Sequence, residues 1–463
     1  MANNSNQEFQ KVLRTRDVIM LAFGAMIGWG WVVSSGQWIQ TGGVIGTVIG
    51  FLIGGIMIYL VGLTYAELTP AMPKSGGAMN FSYAAFGATG SYITIWALAL
   101  SYIGVVCFEA CSFATIMQYV VPDFLQGYLY TVAGYDVYLS WVAVAVIASM
   151  LIIYVNYLGT KTAARFQNIL TGIIAGVGLL LVAGSAFNGT MDNLTSQAFV
   201  GDNMGSVVSN ILKVAIMTPF FLFGFDIIPQ AAEEINVPLK RLGSLMVLSI
   251  GLAVVFYAMV VTAIGFVMSP AQVQVSMDST GMVTADAIAV AFSNKAMTKV
   301  LIIGGLCGIV TTWNSFLIGG SRVLYSMSKA RMLPNIFSKI HPKYNTPYVA
   351  ILFLGFISIV APFFGRVMLV WIVDAANFAC CLAYGLVALS FIVLRKKAPD
   401  MHRPFRVKNG TFIGVLATIM AGFMAVMYVI PGTNCSLKWQ EWVIVGGVDS
   451  NGNISRFKSK ENL

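Results

Sequence analysis

Charge is what this 463-residue chain has least of: 10% of its residues are Asp, Glu, Lys or Arg, against roughly 25% in soluble domains. With 58% hydrophobic residues and a mean hydropathy of +0.81, the scarcity excludes an ordinary soluble fold. Histidine is almost missing as well. The two present, His341 and His402, fall in expected loops, which excludes a histidine-held metal or haem in an apolar interior. The six cysteines (Cys107, Cys111, Cys307, Cys380, Cys381 and Cys435) lie in or beside apolar runs without metal-ligand spacing or a paired framework, so they read as small core residues. No G-x-x-x-x-G-K-[ST] string is present to cradle a nucleotide, and no His, Cys or Ser constellation supports an enzyme. No cofactor is expected.

In place of charge there are long uncharged runs. Val18 to Ala66, Ser75 to Phe108 and Leu242 to Met277 hold no Asp, Glu, Lys or Arg over 49, 34 and 36 residues, each longer than the roughly 20 residues that one membrane-spanning helix needs. Residues 1–16 are polar and lack the pattern of a cleavable signal, so a retained, polar tail is expected there. Helices are expected over 17–40, 43–66, 91–121, 137–158, 163–187, 207–231, 242–268, 297–326, 347–364, 369–394 and 411–431, about 11 complete spans, numbered helix 1 to helix 11 in that order. With the amino terminus inside, 19 basic residues fall in inner loops and 4 in outer ones, leaving aside four after the last span. That asymmetry fixes the orientation. It also explains the net charge of +9 as a topology signal, not a nucleic-acid patch, so the expected surroundings are membrane lipid in the cytoplasmic membrane.

Two expected spans are interrupted at corresponding points: Gly28-Trp29-Gly30 in helix 1, and Gly224 through Pro229 in helix 6. Matched interruptions in successive five-helix blocks point to an inverted-repeat transporter with its site near the bilayer midplane. A break frees backbone N–H groups for an anion and carbonyls for a cation. Taken alone, either glycine cluster is better explained by close packing between helices, and it is the match between the two that favours the broken-helix reading.

Four separated strings then resemble the amino acid, polyamine and organocation (APC) superfamily of secondary transporters over roughly residues 15–430. They are Gly24 to Trp31 with Tyr65-Ala66-Glu67-Leu68 after it; Phe220 to Lys240; Asn314 with Gly320-Ser321-Arg322 and Asn345-Thr346-Pro347; and Leu394 to Asp400 followed by Arg403-Pro404-Phe405. The resemblance implies an all-α membrane protein with the five-plus-five inverted-repeat, leucine-transporter-like fold, with repeat one over 17–187, repeat two over 207–394 and a peripheral span over 411–431. It implies alternating access and a small-molecule amino acid or related amine as substrate. Ile27, Gly28, Trp29 and Gly30 match the unwound part of helix 1, where amides hold a substrate carboxylate. Phe220, Phe221 and Phe223 match carbonyl-offering positions of helix 6, with Phe220 as aromatic lid, and Asp226 matches the acid just after that break.

The chain departs from the family at three places. Trp29 stands where relatives usually have Ser or Thr, so a bulky indole is expected to crowd or reshape the carboxylate pocket. Ile174 stands where a subset carries a helix 5 lysine, removing that route to proton coupling. Thr311, Thr312 and Ser315 of helix 8 instead offer hydroxyls to a coupling Na+, with H+ as the other candidate ion; the simpler role for such hydroxyls is bonding back to helix carbonyls. Lastly, the run from Val443 to Val448 is too short for a twelfth span, leaving 432–463 as a polar or interfacial tail.

Three acids fall at membrane depth, where ionisable groups are costly and mark function by default. Glu109 in helix 3 reads as a cation contact or proton carrier, against a protonated acid bonded to a backbone carbonyl. Asp226 reads as gate or relay, against a helix cap, and Asp374 reads as structural. Glu233 and Glu234 are expected to pair with loop Arg or Lys. The expected function is amino acid or amine transport. A carboxylate-free amine or polyamine is the alternative substrate, favoured by Trp29 with Glu109, and a non-transporting membrane sensor is the rival from another class.

Overall fold

The computed structural model describes residues 9–121, 123–365, 367–431 and 436–446. The apolar runs are helical over most of their length, because a backbone away from water must satisfy its own N–H and C=O groups. Among the described residues, ten helices are long and apolar enough to cross a membrane. They include helix 2 (Val44–Ala71), helix 4 (Leu139–Tyr157), helix 5 (Thr160–Asn188), helix 7 (Leu239–Val267), helix 8 (Ala296–Lys329), helix 10 (Val367–Lys397) and helix 11 (Gly410–Val429). Helix 9 is shorter: Tyr348–Val360 continues only as a 3-10 turn, Ala361–Phe364.

Helix 1 is not the continuous rod over 17–40 that hydropathy alone describes. It runs over Thr15–Met26, loses helical form through Ile27–Trp29, and resumes as Gly30–Val33 and Ser35–Gly42. Helix 6 runs over Met204–Phe221, turns irregularly through Leu222–Asp226 and restarts as Ile227–Gln230. The two interrupted helices touch beside their breaks. A side chain on Gly224 (φ 126°) would sit 2.7 Å from Ala25 Cβ, and one on Gly30 would sit 2.4 Å from Phe221 Cδ1, so both contacts require glycine.

Other elements differ from the sequence reading. Helix 3 begins at Gly77 instead of 91 and bends at Gly87, whose φ of 78° and ψ of −161° only glycine adopts readily. Residues 77–86 thus form a separate helical arm. Between helices 3 and 4 lies an antiparallel hairpin, Tyr128–Val132 with Tyr135–Tyr138, closed by Ala133-Gly134 with positive φ at both. Two short helices, Pro270–Ser279 and Val283–Ala291, stand between helices 7 and 8. After helix 11, Trp439–Val445 lies against helix 10, where Phe378 and Trp442 meet edge to face at 5.6 Å. Residues 1–8 of the expected tail, and the tail from 447 onward, lie outside the described residues.

The basic end of the bundle is tied together by charge. Arg322 of helix 8 donates from Nε to Glu234 (2.7 Å) and from Nη2 to Thr160 (2.7 Å), with Arg322 and Glu234 each 1% exposed. Glu234 therefore does find an arginine, but a buried one within a helix and not the loop residue expected. Glu233 instead accepts from the Ser75 amide. Nearby, Glu67 of helix 2 takes Arg395 and Arg403 as ion partners and accepts from the Val407 amide. The chain just before helix 1 pairs with the chain just after helix 6: Val12 and Leu13 N–H donate to the Glu234 carbonyl, and Asn236 N–H donates to Leu13.

Candidate functional site

Breaking helix 1 leaves backbone groups to be met elsewhere. The Met26 carbonyl is met by Tyr257 Oη of helix 7 at 2.9 Å. Among the described residues nothing accepts from the amides of Gly28, Trp29 and Gly30. Helix 6 leaves the opposite set open: the carbonyls of Phe220, Phe221 and Phe223 accept no hydrogen bond among the described residues. Unpaired donors from one helix and unpaired acceptors from the other therefore border the same space.

That space is a cavity of about 170 Å³ bordered by helices 1, 3, 6, 7, 8 and 10. It far exceeds the roughly 10–15 Å³ that one water needs by the same measure. Its wall is mostly apolar, with Trp29, Phe108, Phe220, Phe221, Phe223 and Phe316 the large surfaces, and Ser34, Glu109, Tyr257, Thr312 and Asn377 supplying polarity. No Lys or Arg lines it. Pockets for small molecules have this composition, an apolar surround with a few placed polar groups.

The expected binding residues divide in two. Gly28, Trp29, Gly30, Glu109, Phe220, Phe221, Phe223 and Thr312 border the cavity; Ile27, Asp226, Thr311 and Ser315 do not. Ile27 is buried in packing. Asp226 sits beneath the cavity, where its carboxylate accepts from Tyr102 Oη of helix 3 and Tyr384 Oη of helix 10, both at 2.8 Å. It ties the restarted part of helix 6 to two other helices and is neither a helix cap nor a direct cavity contact. Asp374 has Glu441 and Lys438 of the short terminal helix as its charged neighbours.

The helix 8 hydroxyls reach across to helix 1. Thr311 donates to the Gly24 carbonyl (3.0 Å) as well as back to Gly308, Thr312 donates to Ala25 (3.2 Å), and Ser315 donates to Leu21 (3.1 Å). Simple back-bonding thus describes only one of the two Thr311 bonds. Ile174 packs beside them, its Cδ1 lying 2.5 Å from where a side chain on Gly308 would begin.

Trp29 does not fill the space in front of the helix 1 amides as its bulk suggested. The benzo edge of the indole lies against helix 8, with Cζ3 2.0 Å from the position a Gly305 side chain would take. Gly304, Gly305 and Gly308, close together in helix 8, are the available signal, since small residues on a helix face let a neighbour approach. Tyr257, Asn377 and Phe316 carried no signal at all, because one tyrosine, asparagine or phenylalanine in an apolar run looks like any other.

A family profile described as amino acid permease matches residues 13–448. The branched-chain amino acid permease BcaP of Bacillus subtilis (strain 168) is 28% identical over 452 residues, covering 96% of this chain and 93% of that protein. The methylthioribose transporter of the same organism is 26% identical over 458 residues, covering 96% and 94%. The human Asc-type amino acid transporter 1 is 25% identical over 401 residues, covering 84% and 72%.

Proposed function

This chain belongs to the amino acid permease family of the APC superfamily, and we propose from that membership that the cavity between the interrupted helices is where it holds the amino acid it carries. It is a multi-pass membrane protein and a secondary transporter with the leucine-transporter-like fold of its family. The observation that carries the site is the meeting of unpaired Gly28–Gly30 amides with unpaired Phe220–Phe223 carbonyls across one cavity. Amides with the positive end of a helix dipole suit a carboxylate, and carbonyls suit an ammonium, so a zwitterion satisfies both.

Alternating access then has a physical basis. Helix 1 belongs to repeat one over 17–187 and helix 6 to repeat two over 207–394, with helix 11 outside, and the pairing of residues 12–13 with 234–236 joins the two interrupted helices so that they move together. Asp226, hydrogen-bonded to Tyr102 and Tyr384, closes the floor of the cavity on the side of the basic end. The basic residues put that end, and the amino terminus, on the cytoplasmic side. Proteoliposomes carrying the protein are expected to accumulate a labelled amino acid, and Gly28→Val, whose Cβ would lie 2.8 Å from Thr312 Oγ1, is expected to abolish uptake without loss of the folded, monodisperse protein. Failure of any amino acid to bind or enter overturns the reading.

Coupling to Na+ is the ion reading the donor set favours. Carbonyls of Leu21, Gly24 and Gly308 with the hydroxyls of Thr311 and Ser315 supply uncharged oxygens where helices 1 and 8 meet, Thr311 bonding to Gly24 (3.0 Å) and Gly308 (2.9 Å) and Ser315 to Leu21 (3.1 Å), the oxygen ligands that hard cations take. Uptake that rises with external Na+ in the wild type and loses that dependence in Ser315→Ala supports it; dependence on a proton gradient alone overturns it. One observation favours the second substrate reading, a carboxylate-free amine: Glu109 borders the cavity as an acid without a basic neighbour. Amines that compete with amino acids for uptake distinguish it.

A further inference from the structure

Two residues that border the cavity each carry a buried polar atom without a partner. Trp29 Nε1 is a donor and Glu109 Oε2 an acceptor, and each belongs to a side chain more than nine-tenths buried, at 7% and 4% exposure. A buried group without its hydrogen bond is destabilising, and native structures rarely retain one without a use for it. Here two of opposite character belong to residues that border one space.

Their positions are set from different sides. Trp29 is anchored by its benzo edge, which occupies the room left by Gly305 of helix 8. The indole N–H is on the other ring. Glu109 comes from helix 3, and its Oε1 is 3.9 Å from where a Gly28 side chain would begin, beside the open amides. On the reading given above, the backbone groups of helices 1 and 6 take the carboxylate and ammonium common to all amino acids. Trp29 and Glu109 are then not needed for the common part of the substrate.

We propose that Trp29 and Glu109 form a side-chain subsite, which selects an amino acid whose side chain both accepts and donates a hydrogen bond: a hydroxyl or a carboxamide. An aliphatic side chain leaves both groups unmet. A cationic side chain meets Glu109 but presents only donors to the indole N–H. A site built to bond a polar group rejects the isostere that lacks it far more strongly than an apolar pocket rejects an added hydroxyl. The proposal rests on the transport reading, deepening it from substrate class to side-chain chemistry.

Isosteric pairs test it on the intact purified protein, by thermal shift and by competition for uptake. Threonine is expected to bind at least about tenfold more tightly than valine, and asparagine at least about tenfold more tightly than leucine. Trp29→Phe removes the donor and Glu109→Met the acceptor; each is expected to bring both ratios below about threefold, mainly by weakening threonine and asparagine. Valine binding as well as threonine in the wild type overturns the subsite, without reference to any variant. So does a lysine or ornithine preference, or an equal loss of all four ligands in both variants. If none of the four binds and no amino acid is taken up, the transport reading itself fails.

Discussion

Buried acids at the basic end and at the cavity are treated in opposite ways. Glu234 is 1% exposed and holds Arg322 and Thr160, while Glu67 holds Arg395, Arg403 and the Val407 amide. Glu109, buried to a similar degree, has an oxygen with no partner and no basic side chain in its cavity. Burial of charge therefore does not by itself separate scaffold from site in this protein. For these three, closure of the hydrogen-bond network does: Glu234 and Glu67 are satisfied within the chain, and the cavity acid is left for something that comes and goes.

The contrast predicts a graded set of outcomes. Arg322→Ala leaves Glu234 buried and unpaired and is expected to cost about 3–5 kcal/mol of stability, read as a large drop in thermal unfolding temperature of the purified protein. An unchanged melting curve would mean that water replaces the arginine. Gly305→Ala forces Trp29 out of its place on helix 8 and is expected to cost about 1–3 kcal/mol; because the displaced ring enters the cavity, substrate affinity falls alongside stability. Asp226→Asn keeps the shape but weakens two phenol hydrogen bonds, for about 1–2 kcal/mol. If the floor of the cavity is held by those bonds, cysteine labelling of cavity residues from the basic end becomes faster in this variant. Glu109→Gln has no ion pair to lose, so its melting point is expected to stay within about 1 kcal/mol of wild type while its substrate preference changes. A destabilisation as large as that of Arg322→Ala would place Glu109 with the scaffold.

Much of the bundle is legible in sequence because the spans are long runs with little charge; apart from helix 3, which begins at Gly77 and not at 91, the expected span ends fall within about five residues of the helix ends. The irregular segments were marked by Gly28, Gly30 and Gly224. What they point at was not marked. Asp226 follows Gly224 by two residues, yet the turns through Leu222–Asp226 rotate it below the cavity toward Tyr102 and Tyr384, and no periodicity describes such a segment. Trp29 was visible as an oddity, but its receiving surface, Gly305, lies on another helix 276 positions away. Two local signals were there to be read: the alternation around Ala133-Gly134 is a two-residue hairpin, and Ser269-Pro270 followed by Gln272 is a capping box with proline at the first helical position.

The short parallel pairing between residues 12–13 and 234–236 has a mechanical consequence. Three backbone hydrogen bonds join the chain entering helix 1 to the chain leaving helix 6. The first half of helix 1 cannot swing away on its own without severing them, whereas swinging together with the end of helix 6 leaves them intact. The two broken rods therefore share a hinge line at this end and behave as one lever. The clasp of Glu234 on Arg322 and Thr160 ties this joined end to helices 5 and 8, so the lever turns about a point anchored in the rest of the bundle.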